Sequence, residues 1–301
     1  MNRFMISMKG FIFFASLAAL TTGCVERAEN HLPEQKIVLD MGDTSGDDMD
    51  GEVALGEGEG AGTMEGTWLL VHENSSCILK QEQVSIADYL IDITEDGNTL
   101  KEQRRICNLE LSPVLGLAVT IPPATYESVD FIDRDRGFVT SLNEGGGYTS
   151  STEVALWGLE LEDPFEEDLP RDVDDPRVVD ADGDGNPGVT FIVGDNTCER
   201  WAIQRQLIHY QGLFSSPNRI DGASITMTET IALDGSAAIC RSAPPILAND
   251  SLNNFIMVRV DGQGGAFDAD ADGDGEVSCE EIQGLSVGLN PGREPDNQNC
   301  R

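Results

Sequence analysis

From Met64 onward the chain runs in short stretches whose apolar and polar residues alternate with a period of two, and this leaves few folds open to it. In "SITMTETIAL" (224–233), Ile225, Met227 and Ile231 fall on one face, with Ser224, Thr226, Thr228 and Thr230 on the other. That is a half-buried strand rich in β-branched residues. "WAIQRQLIHY" (201–210) alternates less cleanly. "GTWLLVHE", "VTFIVGD", "LGLAVTI" and "NFIMVRVDG" are further strand candidates, each bounded by Gly, Pro, Asn or Asp. The best helical stretch of the body, "QVSIADYL" (83–90), is short. Many short strands separated by turn signals predict an all-β fold, an antiparallel barrel or sandwich, over residues 65–262. A long acidic connection at 160–185 is expected to separate two halves of one barrel.

The opening "EGTW" (65–68) resembles the G-x-W start of lipocalin-like barrels. That resemblance implies that Trp68 closes one barrel end and that an apolar cup could carry a small ligand; otherwise Trp68 is a core aromatic of the first strand. Of seven cysteines, six follow residue 64: Cys77, Cys107, Cys198, Cys240, Cys279 and Cys300. An even set in an exported chain predicts three disulfides. Proximity in sequence suggests Cys77–Cys107, Cys198–Cys240 and Cys279–Cys300, the last folding the tail "NPGREPDNQNC" over the residues before it.

The seventh, Cys24, ends the segment "MNRFMISMKGFIFFASLAALTTGC", in which Arg3 and Lys9 precede an apolar run from Phe11 to Leu20. The run is short for a bilayer span and reads as an export signal over 1–24. "LTTGC" resembles the lipobox of bacterial lipoproteins, with Thr21 departing from the usual aliphatic residue. The resemblance implies lipidation at Cys24 and a place in the cell envelope; Val25, where an Asp would retain the protein, resembles outer-membrane sorting. Residues 25–64 contain "MGDTSGDDMDGEVALGEGEGAGT", too polar and acidic to bury much surface, and are expected to form a disordered acidic tether.

The crowding of acids in "DADGDGEVSCEE" (270–281) needs a separate reason, because the chain already carries 54 Asp+Glu against 19 Lys+Arg. Asp270, Asp272 and Asp274 stand at loop positions 1, 3 and 5, and Gly275 stands at 6, where the chain turns sharply. Glu276 at 7 offers its carbonyl, Val277 at 8 is apolar, Ser278 is at 9 and Glu281 at 12 can give both carboxylate oxygens. The stretch resembles the EF-hand calcium loop. Oxygen ligands at these spacings suit Ca²⁺, and without it the carboxylates repel one another. What precedes the loop reads as a strand and a Gly-rich turn, so a static structural site is expected over 263–301 and not a helix-opening sensor. In "DADGDGNPGVTF" (180–191), Asp180, Asp182, Asp184 and Gly185 repeat the first half of the motif, but Phe191 replaces the final acid. This resembles the Asp-rich calcium loops of extracellular modules. Asn186 could add a carbonyl, with Asp174, Asp175 or water completing the set; the other reading is an Asx-stabilised turn leading into a strand.

A formal net charge of -35 makes nucleic acid an improbable partner and cations the natural one. "GDGNPG" satisfies G-x-G-x-x-G, but its Asp residues would repel a pyrophosphate. "GLSVG" lacks the preceding strand and following His of a nucleophile elbow. His31 lies in the tether, His72 is expected to end a strand and His209 to lie within one. No catalytic set emerges, and the expectation is a binding or structural protein, with a carrier or a calcium-stabilised hydrolase as alternatives.

Overall fold

The computed structural model describes residues 55–97, 99–133, 137–194 and 198–301. The signal-like segment, Cys24 and most of the expected tether lie outside these described residues. The elements are β1 (Gly66–Ile78), β2 (Gln81–Asp96), β3 (Thr99–Leu111), β4 (Val119–Thr120), α1 (Pro123–Glu127), β5 (Asp130–Asp133), β6 (Gly137–Val139) and β7 (Gly147–Thr149). They continue with β8 (Glu153–Trp157), β9 (Val189–Val193), β10 (Cys198–Ser216), β11 (Arg219–Gly235), β12 (Ile246–Ala248), β13 (Asn254–Arg259) and α2 (Leu285–Leu289). All the strand pairings are antiparallel. The order β11-β13-β1-β2-β3-β6-β7-β10 closes on itself through a β10–β11 pairing, so the sheet is a barrel. The long β10 is paired along one edge by β11 and along the other, in turn, by β9, β8 and β7.

Strand parity separates inside from outside. On β1, Trp68 and Leu70 point into the barrel, while Leu69 and Val71 belong to a second cluster on its outer surface. The interior is packed, with Trp68, Tyr148, Tyr210, Phe214 and Phe255 all under 2 % exposed. Phe255 fits because two glycines face each other across β10 and β11. A Cβ on Gly222 would stand 2.5 Å from the Phe255 ring, and one on Gly212 would stand 2.9 Å from it. A filled interior is not the open apolar cup that a carrier needs. Trp68 lies at the barrel end, its indole N–H donating to the Met64 carbonyl at 3.0 Å and the Arg259 guanidinium 4.7 Å from its ring.

Two segments cover apolar patches outside the barrel. Residues 159–178 lay Leu159, Phe165 and Leu169 over Val154, Leu156, Ile203 and Leu207. The buried Arg205 holds them down, donating to the carbonyls of Glu167 at 2.7 Å and Pro164 at 3.2 Å. The C-terminal segment lays Ala269, Val277 and Ile282 over Leu69, Val71, Leu90, Val258 and Val260. Burying side chains of this size contributes about 1.5–3 kcal/mol each for the larger ones.

Several expectations need correction. "QVSIADYL" lies wholly within β2, because pairing with β1 on one side and β3 on the other outweighs its weak helical preference. Only Val119 and Thr120 of "LGLAVTI" form a strand. His72 does not end a strand; it lies in the middle of β1, buried. Residues 55–64, assigned to the tether, pack on the body: Leu55 and Met64 are buried, and the Gly60 N–H donates to the Gly264 carbonyl at 2.9 Å. The disulfides are Cys77–Cys300, Cys107–Cys279 and Cys198–Cys240, so only the last matches. Cys77 on β1 stands opposite Glu82 of β2, whereas Cys107 on β3 stands beside Asp88 and Tyr89, so β2 lies between them and about six residues of strand, on the order of 20 Å, offset them, beyond the reach of a disulfide.

Candidate metal centre

Both acidic loops fold back on themselves through carboxylate acceptors. In the C-terminal loop Asp270 accepts from the backbone of Gly273 at 2.7 Å, Asp274 at 3.1 Å and Gly275 at 2.8 Å. Asp272 accepts from Asp274 at 3.1 Å, and Asp274 accepts from Glu276 at 2.9 Å. Gly273 and Gly275 take φ of 76° and 91°, a left-handed backbone that a side chain would resist. As a result, one carboxylate oxygen from each of Asp270, Asp272 and Asp274 lies within 4.8 Å of the others. Three like charges so close favour a cation between them. The donor set is all oxygen, which suits a hard ion.

Glu281 is positioned by the loop it closes. One carboxylate oxygen accepts from the Ala271 N–H at 2.8 Å; the other accepts from the Ser278 N–H at 2.8 Å and hydroxyl at 2.9 Å. The Ser278 backbone and hydroxyl donors hold its pKa below the ordinary carboxylate value. Glu276 is exposed, with its backbone in the turn. Val277 at position 8 is buried against the barrel, and its carbonyl accepts from Arg105 at 2.8 Å. Cys279 joins the loop to β3 through Cys107. Strand β13 and a 3-10 turn precede the loop, and α2, five residues long, follows it after a run of turns. No long helix flanks it.

The second loop brings Asp180, Asp182 and Asp184 together with the same 4.8 Å convergence. Asp180 accepts from the backbone of Asp184 at 3.1 Å and of Gly185 at 2.9 Å. Asp182 turns inward and accepts from the Thr125 hydroxyl and the Thr190 N–H, both at 2.8 Å. Partial burial pushes the Asp184 carboxyl up, but the Thr190 hydroxyl and the Asn186 backbone outweigh it and the net direction is down. Asn186 donates its backbone N–H to Asp184 at 2.8 Å. Asp175, considered as an extra ligand, is instead paired with Arg177 at 2.8 Å. Strand β9 follows directly. No acid stands where Glu281 stands in the first loop.

Sequence reasoning missed three supports of these loops: Arg105 on the Val277 carbonyl, Thr125 and Thr190 on the second triad, and the Cys107–Cys279 bond. It also missed a buried polar cluster in the barrel. Glu102 and Arg104 lie on the inward parity of β3, between Leu100 and Ile106, and that parity was the available signal. Arg104 pairs with Glu102, and with Glu153 at 2.8 Å. Glu102 accepts from the Tyr148 hydroxyl at 2.9 Å. His72 nearby contacts Ser224 at 2.7 Å and Tyr210 at 3.3 Å.

No protein-family model, no curated protein and no solved structure matches this chain.

Proposed function

We propose that this is a calcium-binding lipoprotein of the cell envelope, anchored in the outer membrane through Cys24, with a binding or structural role. The observation that carries the calcium reading is the convergence of Asp270, Asp272 and Asp274 in a loop closed by Glu281. Glu276 and Ser278 would complete the ligand set through a carbonyl and a hydroxyl. The second triad, with Asn186, is the weaker site because it lacks a closing acid. A bound ion would neutralise the repulsion within each triad and hold the C-terminal segment over the outer face of β1, β2 and β13. That is a rigidifying role. The packed barrel favours it over carriage of an apolar ligand, and the one described serine–histidine contact, Ser224 with His72, is buried in the barrel where no substrate reaches it, which does not favour a hydrolase.

Adding Ca²⁺ to chelator-treated protein should raise its melting temperature progressively, since binding to the folded state alone stabilises by RT ln(1 + [L]/Kd). The expected Kd is about 10⁻⁴–10⁻³ M, the range of extracellular modules. Glu281→Gln should weaken calcium binding by roughly tenfold, about 1.4 kcal/mol, and more than Ser278→Ala does. A melting temperature indifferent to Ca²⁺ would defeat the proposal.

A further inference from the structure

An acid is buried under the C-terminal segment. Asp88 is 5 % exposed and lies on β2 between Ile86 and Leu90, on the face that strand parity turns out of the barrel. The segment covers that face: Leu285 and Leu289 of α2, with Val277 and Ile282, share one apolar cluster with Ile86 and Leu90. Asp88 is therefore sealed between the barrel and the segment laid over it. Ser286 of α2, itself 7 % exposed, is set against it.

Its partners are few. The Asn108 amide reaches Oδ2 at 3.5 Å, and Oδ1 is buried with no hydrogen-bond partner. On β3, Glu110 repels it, while Arg105 is engaged by Asp92 at 2.9 Å and by the Val277 carbonyl at 2.8 Å. On β1, Val71 stands opposite, and Glu73, two residues on, is paired with Arg293 at 3.0 Å. Helix α2 carries no charge of its own. Among the described residues no cation pairs with Asp88. A buried carboxylate with an unbonded oxygen is costly when charged and much less so when protonated. Burial accordingly pushes the Asp88 carboxyl up from its ordinary value, against the opposing effect of Ser286 and Asn108.

We infer that Asp88 is an acid-strengthened clasp for the C-terminal segment: charged, its carboxyl weakens the seat of α2 on β2, and protonated, it tightens that seat. The sign follows from linkage. The folded chain holds this proton more tightly than the unfolded chain, so stability is gained as pH falls through the raised value, and the gain is complete below the ordinary 3.8. The acidic loop responds the other way, because carboxylates must be deprotonated to hold a metal. The clasp thus keeps the segment seated under conditions in which a bound ion would be lost. This goes beyond the calcium reading and does not depend on it.

The test follows the segment itself, in chelator, between pH 7.5 and 4. Hydrogen exchange is measured at the Leu285 and Asn290 amides, which bond to the Ile282 and Ser286 carbonyls, with intrinsic rates corrected for pH. Asp88→Asn, a neutral isostere, should slow their exchange at least about threefold at pH 7.5, and the difference from wild type should shrink as acid is added. Carboxyl carbon NMR should show Asp88 titrating above 3.8. Ser286→Ala, which removes a donor that favours the charged form, should raise that titration midpoint further, and it decides the matter if Asp88→Asn fails to fold. An Asp88 that titrates at or below 3.8 overturns the inference. So does a midpoint unmoved by Ser286→Ala, or an exchange difference between wild type and Asp88→Asn that is absent, reversed or the same at both ends of the pH range.

Discussion

His72 carries a clear pH signature inside the barrel. Burial, and secondarily the nearby Arg104 charge, lower its pKa from 6.5 to about 3. The folded protein therefore keeps it neutral where the unfolded chain would protonate it. The stabilising contribution is complete above pH 6.5 and is lost as pH falls from 6.5 towards about 3. At pH 5 the loss is about 2 kcal/mol relative to neutrality, at 1.36 kcal/mol per unit. Urea unfolding of wild type and His72→Gln between pH 7.5 and 5 should show a stability difference that shrinks as acid is added. A pH-independent difference would place His72 in contact with solvent. The acidic triads were legible residue by residue because such a loop is a local object: Asp, Asp, Asp and Gly at set intervals bring three carboxylates together without help from distant chain. Arg104 was not. A charged residue on the inward parity of a strand looks like any surface charge until the partners Glu153 and Tyr148 arrive from other strands.

Among the elements, the β1–β2 hairpin turns through Leu79 and Lys80, with φ of 52° and 63°. Both sit in the left-handed region that hairpin turns of this type require and that residues with a Cβ resist, at a cost of roughly 1–2 kcal/mol each. Replacing the pair by Asn-Gly should stabilise the protein by at least about 1 kcal/mol in thermal or urea unfolding. Exposed Leu79 makes the change safe for packing. The C-terminal loop is a second element whose behaviour follows from its attachments. It is braced from outside by the Cys107–Cys279 bridge and by Arg105 on its Val277 carbonyl. Closing a loop of 172 residues contributes about 5 kcal/mol in the chain-entropy model. The double variant Cys107→Ser/Cys279→Ser should therefore lose both stability and calcium affinity. Cys198→Ser/Cys240→Ser, far along the chain from the loop, should lose stability alone. Equal calcium affinity in both variants, measured by calorimetry, would show that the bridge does not organise the loop.

For the whole molecule, charge and attachment matter most. The acidic body would be repelled by anionic lipid heads, so in the proposed function retention at a membrane would come from a lipid on Cys24 and not from the protein surface. Cys24→Ser should shift the protein from the membrane fraction to the soluble fraction on cell fractionation. Equal partitioning of the two forms would leave only a cleaved signal. Residues 55–64, expected from their composition to be tether, belong to the packed body: Leu55 is buried and a Gly-rich strap packs against Gly264 and Gly265. The tail closes the other side, with Arg293 bonded to Glu82 and Glu73 on the first hairpin. Those contacts, with the Ser75 hydroxyl and the Asp296 N–H, overcome the effect of burial and hold the Glu82 carboxyl at about 2.

The all-β class and both triads could be read from residue order, because side-chain alternation and loop ligand spacing are decided within a few bonds of each residue. "SITMTETIAL" became part of β11, and "DADGDGEVSCEE" closed its own carboxylate cluster. Disulfide partners, the fate of "QVSIADYL" and the burial of Glu102 and Arg104 depended on which strands became neighbours. That is a property of the closed sheet: β2 between β1 and β3 keeps Cys77 from Cys107, and the outer-face packing of Val277 and Ile282 carries Cys279 to Cys107 instead. Contacts between residues on different strands leave no periodic trace in either partner, so only the folded chain could decide them.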